Sequence, residues 1–435
     1  MLSKIIEILK EKRILILGFG REGKSSLKFI QTYLPDNKPD IADYNPETVE
    51  SLIPAQRESI NFYCGENYLN VIHNYDIVIK SPGISLLGFD LSKTIISSQT
   101  DLFFNAFASQ TIGITGTKGK STTTSLIYHL LKSSNFDCVL AGNIGIPCFD
   151  VIPEITNKTW IVFELSANQL QNCNHSPHIA ILLNIFEEHL DHFGTFLKYK
   201  EAKNTICKYQ KKDDIFICHR EFLPLNMNYP ELLLQFPLGL LNESAENLPL
   251  KGSHNRLNME AALLAVHAAG VNMEKAIQDL VTFNGLPHRL EKIGIFGGVT
   301  FYNDSIATIP EATIAAIDTL EHVDFLLLGG FDRGIDYTIL IEYLIDYQIK
   351  HILFTGKAGI RMMKMLLKYT TESKLLTYDT MQDAFTIVQK FAQPKDICLL
   401  SPAAASYDIY KNFEHRGDIF RELAINFVND SDLHG

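Results

Sequence analysis

The sequence predicts an α/β protein of three domains, each an open parallel sheet with helices on its faces. Short apolar, β-branched runs alternate with helix-patterned stretches along the chain. Two glycine-rich turns, Gly18–Gly23 and Gly116–Ser121, each stand between such a run and a helix, the context in which glycines serve nucleotide binding. A chain of 435 residues with 46% hydrophobic and 20% charged content is also too long for one core and has the composition of an ordinary soluble protein.

The first domain begins with a short amphipathic helix. A buried-strand pattern, Arg13–Leu17, then runs into Gly18-Phe19-Gly20-Arg21-Glu22-Gly23, with a helix expected over Lys24–Tyr33. This G-x-G-x-x-G fits a nucleotide pyrophosphate or a turn that merely packs helix on strand. A second strand ends in Asp43, where a dinucleotide fold meets a ribose. A third, Tyr75–Ile79, leads into Lys80-Ser81-Pro82-Gly83-Ile84 at the strand end where open α/β sheets bind ligands.

The second domain opens with the strand Thr111–Thr115 and Gly116-Thr117-Lys118-Gly119-Lys120-Ser121-Thr122, followed by a helix. Ile114 stands where the longer phosphate-loop motif has its first glycine, so the match is to the shorter G-x-x-G-K-S form. Glycines let backbone N–H groups turn onto phosphate oxygens, Lys120 reaches the β/γ-phosphates, and the Ser121 hydroxyl ligates Mg²⁺. The strand Thr159–Phe163 delivers Glu164, either a Mg²⁺ ligand or a solvated strand-end acid. After the strand Ile179–Leu183, Glu187-Glu188-His189-Leu190-Asp191-His192 is dense in metal-binding types, but a zinc site would need a further partner. Lys203 reads by itself as a surface lysine. Gly252-Ser253-His254-Asn255-Arg256-Leu257-Asn258 precedes an apolar helix expected over Met259–Ala269 and offers amides to a base or phosphate, or simple capping.

A hinge is expected at Gly285-Leu286-Pro287-His288-Arg289-Leu290, and the third domain follows. Its strands Val299–Tyr302, Phe325–Leu328, His351–Phe354 and Ile397–Leu400 each hand over polar or glycine residues at the carboxyl end.

The net charge of −11 argues against nucleic acid or an anionic membrane as a general partner. Seven scattered cysteines without C-x-x-C spacing read as reduced thiols. The first twenty residues lack the pattern of a signal peptide or a membrane span, so a cytoplasmic protein without membrane insertion is expected.

With these positions in hand, the chain resembles the muramyl ligases of peptidoglycan synthesis, nearly end to end. The resemblance rests on GITGTKGKST (113–122), AGNIG (141–145), ELS (164–166), EEHLD (187–191), GSHNRLN (252–258), LPHR (286–289), NDS (303–305), GGFDRG (329–334) and LSPAAASYDIYKNFEHRG (400–417). It implies a Rossmann-like UDP-sugar domain over 1–106, a P-loop ATPase domain over 107–285 and a Rossmann-like amino-acid domain over 286–435. It also implies ATP-dependent joining of glutamate to UDP-N-acetylmuramoyl-L-alanine through an acyl phosphate, in a monomer. By resemblance, Gly20, Arg21, Glu22, Asp43, Ser81, Pro82, Gly83 and Asn143 hold the UDP-sugar. Gly116–Thr122, Asn255, Arg289 and Asp304 hold ATP, and Arg333, Ser406 and Phe413 hold the amino acid. Ser121, Glu164, His189 and a carbamylated Lys203 serve two Mg²⁺ ions, with Lys120, His189 and Lys203 catalytic.

One departure bears on the amino acid. After Asn303-Asp304-Ser305 the glutamate-adding relatives carry a lysine, and here Ile306 stands. The overall match favours D-glutamate, with L-glutamate as the alternative. An NAD-dependent oxidoreductase would use Gly18–Gly23 and Asp43 but leaves the second glycine loop without a role. A non-catalytic relative or amidotransferase partner is the third reading, against which Lys120, Glu164, His189 and Lys203 are all present.

Overall fold

The computed structural model describes every residue except 52–59, 87, 90–93, 145, 226, 242–247, 249, 251, 284, 321, 370–371 and 429–435. The chain forms two compact units, Met1–Phe283 and Asn284–Gly435.

The first unit carries two sheets. In one, β1 (Ile14–Leu17), β2 (Asp40–Asp43), β3 (Phe62–Cys64), β4 (Ile77–Lys80) and β5 (Ile95–Ser97) lie parallel in the order β3-β2-β1-β4-β5. The other comprises β6 (Thr111–Thr115), β7 (Cys138–Gly142), β8 (Trp160–Glu164), β9 (Ile179–Leu182), β10 (Ile215–His219) and β11 (Leu232–Phe236), parallel in the order β11-β10-β9-β6-β8-β7. β1, β6 and β9 are buried along their whole length, as expected of parallel strands covered on both faces, which is why they read as unbroken apolar runs.

The helix Gln99–Phe107 joins the sheets and is buried nearly all round. Phe103 and Phe104 pack their rings on Phe163 of β8, with centroids 5.7 and 5.4 Å apart. One apolar cluster therefore runs from Ile14 and Ile79 to Phe163 and Leu182. The expected boundary at 106/107 falls inside this helix, whereas that at 285/286 falls close to the division between the units.

The second unit holds β12 (Glu291–Phe296), β13 (Val299–Asn303), β14 (Phe325–Gly329), β15 (His351–Thr355), β16 (Lys374–Thr377) and β17 (Ile397–Leu400), in the order β12-β13-β17-β14-β15-β16. β12 is an antiparallel edge strand that the sequence pattern does not announce, because its glycine and two charged residues break the apolar alternation.

Two helices start earlier than expected. The first runs Arg21–Tyr33, so Arg21 and Glu22 lie in its opening turn instead of in a glycine loop. The other runs Ser253–Ala268 and absorbs most of GSHNRLN, which therefore does not precede the helix but begins it. Among the described residues no helix is long and apolar enough to cross a membrane.

Candidate active site

β6 lies between β8 and β9, and the glycine loop leaves its carboxyl end. The helix Lys120–Ser133 begins from Gly119, whose φ of 84° is left-handed and whose absent Cβ would lie 2.3 Å from Asn258 Oδ1. Only glycine fits there, and the contact seats Asn258, in the second turn of Ser253–Ala268, against the loop; Asn258 Nδ2 donates to Asn255 Oδ1 at 3.3 Å. Two loop amides are already committed. Thr117 N–H donates to Asn184 O at 2.9 Å and Lys118 N–H to Asn184 Oδ1 at 2.8 Å, which fixes the loop on the end of β9. Lys120 Nζ donates to the carbonyls of Gly116 and Thr117, both at 3.0 Å. Ser121 and Thr122 lie in the first helical turn, where backbone N–H groups have no helical partner.

Lys203 is buried at 1% exposure, overturning its reading as a surface lysine. The helix Phe196–Lys208 carries it beneath the loop, where its Nζ donates to Gly116 O at 2.8 Å and stands 4.8 Å from the Tyr199 ring centroid. Burial, with the nearby Lys120 charge, pushes its pKa down to about 7. His189 has left-handed backbone, with Nε2 3.8 Å from Glu188 Oε2; Glu188 itself pairs with Lys118 at 2.8 Å. Among the described residues no three His, Cys, Asp or Glu side chains converge as a ready metal site, and the side chain of Asp191 lies outside those described.

Glu164 ends β8 at 1% exposure, so it is not a solvated strand-end acid. Asn143 donates to it through Nδ2 to Oε1 at 3.1 Å and through its own N–H to Glu164 O at 3.1 Å. The turn that allows this needs Gly142, at φ 91°, whose Cβ would lie 2.3 Å from Glu164 O. Glu164 Oε2 is buried with no hydrogen-bond partner. Such an oxygen is costly unless something electropositive meets it, so this carboxylate fits a metal ligand. Gly145 of the same motif lies outside the described residues.

Asn143 also lines a cleft of about 450 Å³, with Gly18, Gly20, Arg21, Glu22, Asp43, Ser81 and Pro82. Gly83 belongs to the same turn but is not among the lining residues. Asp43 Oδ2 accepts from Phe19 N–H at 2.7 Å and Oδ1 from Asn45 N–H at 2.8 Å, tying the glycine turn to the end of β2. Gln169, held by a capping box with Ser166, donates to Glu22 Oε1 at 3.0 Å. Burial raises the Glu22 pKa. Tyr44 and Tyr68, with ring centroids 6.3 Å apart, stand at the cleft beside Asp43 and were not singled out from sequence. An aromatic directly after the strand-end acid is the signal that would have found Tyr44.

In the second unit, Asp304 accepts from Leu290 N–H at 3.0 Å and Ser401 Oγ at 2.8 Å, and burial pushes its pKa up to about 6. Arg289, beside Leu290, is exposed. Arg416, 3% exposed, joins this segment to the loop before Ser406: it donates to Ser305 Oγ at 2.9 Å, Ser305 O at 2.8 Å and Ala404 O at 3.1 Å. Ser305 Oγ in turn donates to Phe413 O at 2.8 Å. Ser406 is buried, and Arg333 donates to Thr308 O at 2.7 Å, two residues beyond Ile306. Asp304, Ser406, Phe413 and Arg333 are thus tied into one end of the third sheet.

Residues 114–223 match the Mur ligase middle domain and 288–404 the Mur ligase glutamate ligase domain. The chain is 33% identical to the UDP-N-acetylmuramoylalanine--D-glutamate ligase of Geobacillus kaustophilus, over 94% of this chain and 97% of that protein. The chain belongs to the Mur ligase family. The enzyme of the same name from Clostridium acetobutylicum is 30% identical over 98% of both chains. This Mur ligase also shares its fold with the UDP-N-acetylmuramate-alanine ligase of Thermotoga maritima, at a TM-score of 0.56 and 16% identity over 96% of this chain and all of that one. The MurF ligase of Thermotoga maritima, solved with ADP, gives a TM-score of 0.52 at 16% identity over 96% of each chain.

Proposed function

We propose that this Mur ligase joins D-glutamate to UDP-N-acetylmuramoyl-L-alanine at the expense of ATP, in peptidoglycan synthesis. One observation carries the reading furthest: Asn143 lines the cleft and also bonds Glu164, on the strand beside the glycine loop. A nucleotide sugar in the cleft and a nucleotide triphosphate on the loop then meet across one side chain. The near-full-length relatives, whose names specify D-glutamate, support the same choice.

A carboxylate is a poor acyl donor, so the alanyl carboxylate attacks the γ-phosphorus of ATP, ADP leaves, and an acyl phosphate forms. The glutamate amine then attacks the acyl carbon, and phosphate leaves with its electron pair as the amine loses a proton. Lys120 offsets the repulsion between the anions that meet in the first step. The carbonyls it now bonds hold its ammonium at the loop. Asn255 flanks that loop from the adjoining helix. Arg289 and Asp304 act as nucleotide contacts of the second unit, and Arg333, Ser406 and Phe413 as its amino-acid contacts. An NAD-dependent reading leaves the loop, Lys120 and Lys203 without work.

Mg²⁺ would supply charge neutralisation and a template for the phosphates. Glu164 and Ser121 would hold one ion. His189 and Lys203 would hold a second, with Lys203 as its carbamate, because an ammonium repels a cation. A lysine pKa near 7 leaves much of the amine neutral and able to take up CO₂.

The test is phosphate release with ATP, UDP-N-acetylmuramoyl-L-alanine and D-glutamate, each omitted in turn. Release that requires all three is the expected result. Release indifferent to the UDP-sugar or to glutamate contradicts the proposal.

A further inference from the structure

The cleft presents a charge problem. Its described lining carries one cation, Arg21, against two carboxylates, Glu22 and Asp43, although the ligand proposed for it contains a diphosphate. Glu22 is oriented by Gln169 through Oε1, while Oε2 is buried without a partner. Immediately behind the lining lies Lys80, the last residue of β4, at 3% exposure. No carboxylate pairs with it within ion-pair distance among the described residues. Its Nζ instead donates to three carbonyls of the next turn: Ser81 O at 3.1 Å, Pro82 O at 3.4 Å and Ile84 O at 2.8 Å.

A buried ammonium without an ion-pair partner is costly, even with the Glu22 carboxylate acting on it from beyond ion-pair distance, and a fold does not need one to close a turn. Neutral donors or water satisfy turn carbonyls elsewhere. Here the ammonium draws three carbonyl dipoles back onto itself. The same turn is pinned to the glycine loop by Ser81, whose Oγ donates to Gly18 O at 2.9 Å and whose N–H donates to Leu17 O at 2.8 Å. Ser81, Pro82 and Ile84 present their other side to the cleft. The turn is therefore a thin layer between the Lys80 ammonium, whose pKa burial lowers to about 8, and the space where the ligand lies.

We infer that Lys80 is a positioning residue for the anionic part of the cleft's ligand: it holds the Ser81–Ile84 turn in place and supplies, through it, the positive field that a diphosphate requires. This rests on the reading of the cleft as a nucleotide-sugar site. The sequence gives no hint beyond a lysine closing an otherwise apolar strand.

The experiment compares UDP with uridine by titration calorimetry on the whole protein, for wild type, Lys80→Met and Lys80→Gln. A charge acting through one turn in a partly desolvated cleft is worth on the order of tenfold in affinity for an anion. Both variants are expected to reduce the preference for UDP over uridine by about that factor, since glutamine replaces donors but not charge. The KM for the UDP-sugar should rise while that for ATP stays unchanged. An unaltered UDP-to-uridine ratio in either folded variant overturns the inference, as does an equal weakening of both ligands, which would mean only that the turn has collapsed. Failure of both variants to fold overturns it too, because the lysine would then serve the fold. Wild type that binds neither UDP nor uridine refutes the cleft assignment itself, a result separable from any of these.

Discussion

Asp304 offers a test in which the expected effect has a sign as well as a size. Its carboxyl is buried, and burial raises its pKa from 3.8 to about 6 despite the hydrogen bonds from Ser401 and Leu290. The folded pKa exceeds the unfolded one, so the native state binds this proton more tightly. The associated stability is fully present below the unfolded value and is lost as pH rises through the folded one. A shift of roughly two units at about 1.4 kcal/mol each corresponds to about 3 kcal/mol across the full window. Asp304→Asn removes the titration. Its amide oxygen can accept from Leu290 N–H, and its NH₂ can donate to Ser401 Oγ, which is free to rotate toward Thr313. Urea denaturation of both proteins across pH should show the variant gaining on wild type by about 2 kcal/mol between about pH 4.5 and about pH 8. It should lose kcat/KM for ATP over the same range if Asp304 is the nucleotide contact proposed above, because a contact that works best as an anion costs stability when no ligand is bound. A stability difference that is flat with pH, or that favours aspartate at the alkaline end, would refute the reasoning.

Lys120→Ala should lower phosphate release by a factor on the order of 10² or more, with UDP affinity unchanged in calorimetry, since the loop and the cleft are built from different strands. Near-wild-type turnover would remove Lys120 from the chemistry. Lys203→Ala should be nearly inactive and partly restored by short carboxylic acids that replace a carbamate oxygen. Full activity in that variant would leave its burial beneath the loop without a catalytic meaning.

The features legible in the sequence were those encoded locally. Strand, glycine turn and helix follow one another within a few residues at Gly18–Gly23 and Gly116–Ser121, so both glycine turns could be placed from spacing alone. What escaped depends on contacts distant in the chain. Lys203 looks like any helix lysine until Gly116, far earlier in sequence, is found against its Nζ. Asn184 is an unremarked residue after β9 that consumes two loop amides. The start of the helix at Ser253 was missed because histidine and asparagine are weak helix formers, and tertiary packing against Gly119 overrides that preference. The boundary at 106/107 was drawn between two sheets whose separate patterns gave no sign that Gln99–Phe107 buries its phenylalanines against both. Arg416 sits in a motif recognised from sequence, yet its work, stapling Ser305 to Ala404, is visible only in three dimensions.

The central claim is the identity of the bond formed, and the Ile306 position makes the amino acid its most exposed part. With no cation at Ile306, the α-carboxylate would depend, in the pocket proposed above, on Arg333, whose guanidinium already reaches Thr308 in that segment. Inverting the α-carbon while keeping the amine on its line of attack takes the α-carboxylate off its cationic partner, a defect worth a factor on the order of 10² or more. The direct measurement is enantiomer-resolved kcat/KM, following labelled D- or L-glutamate into UDP-N-acetylmuramoyl-dipeptide with phosphate counted in parallel. Stoichiometric incorporation with D-glutamate preferred by about that factor is the predicted result; comparable values for both enantiomers, or a clear preference for L-glutamate, would contradict it.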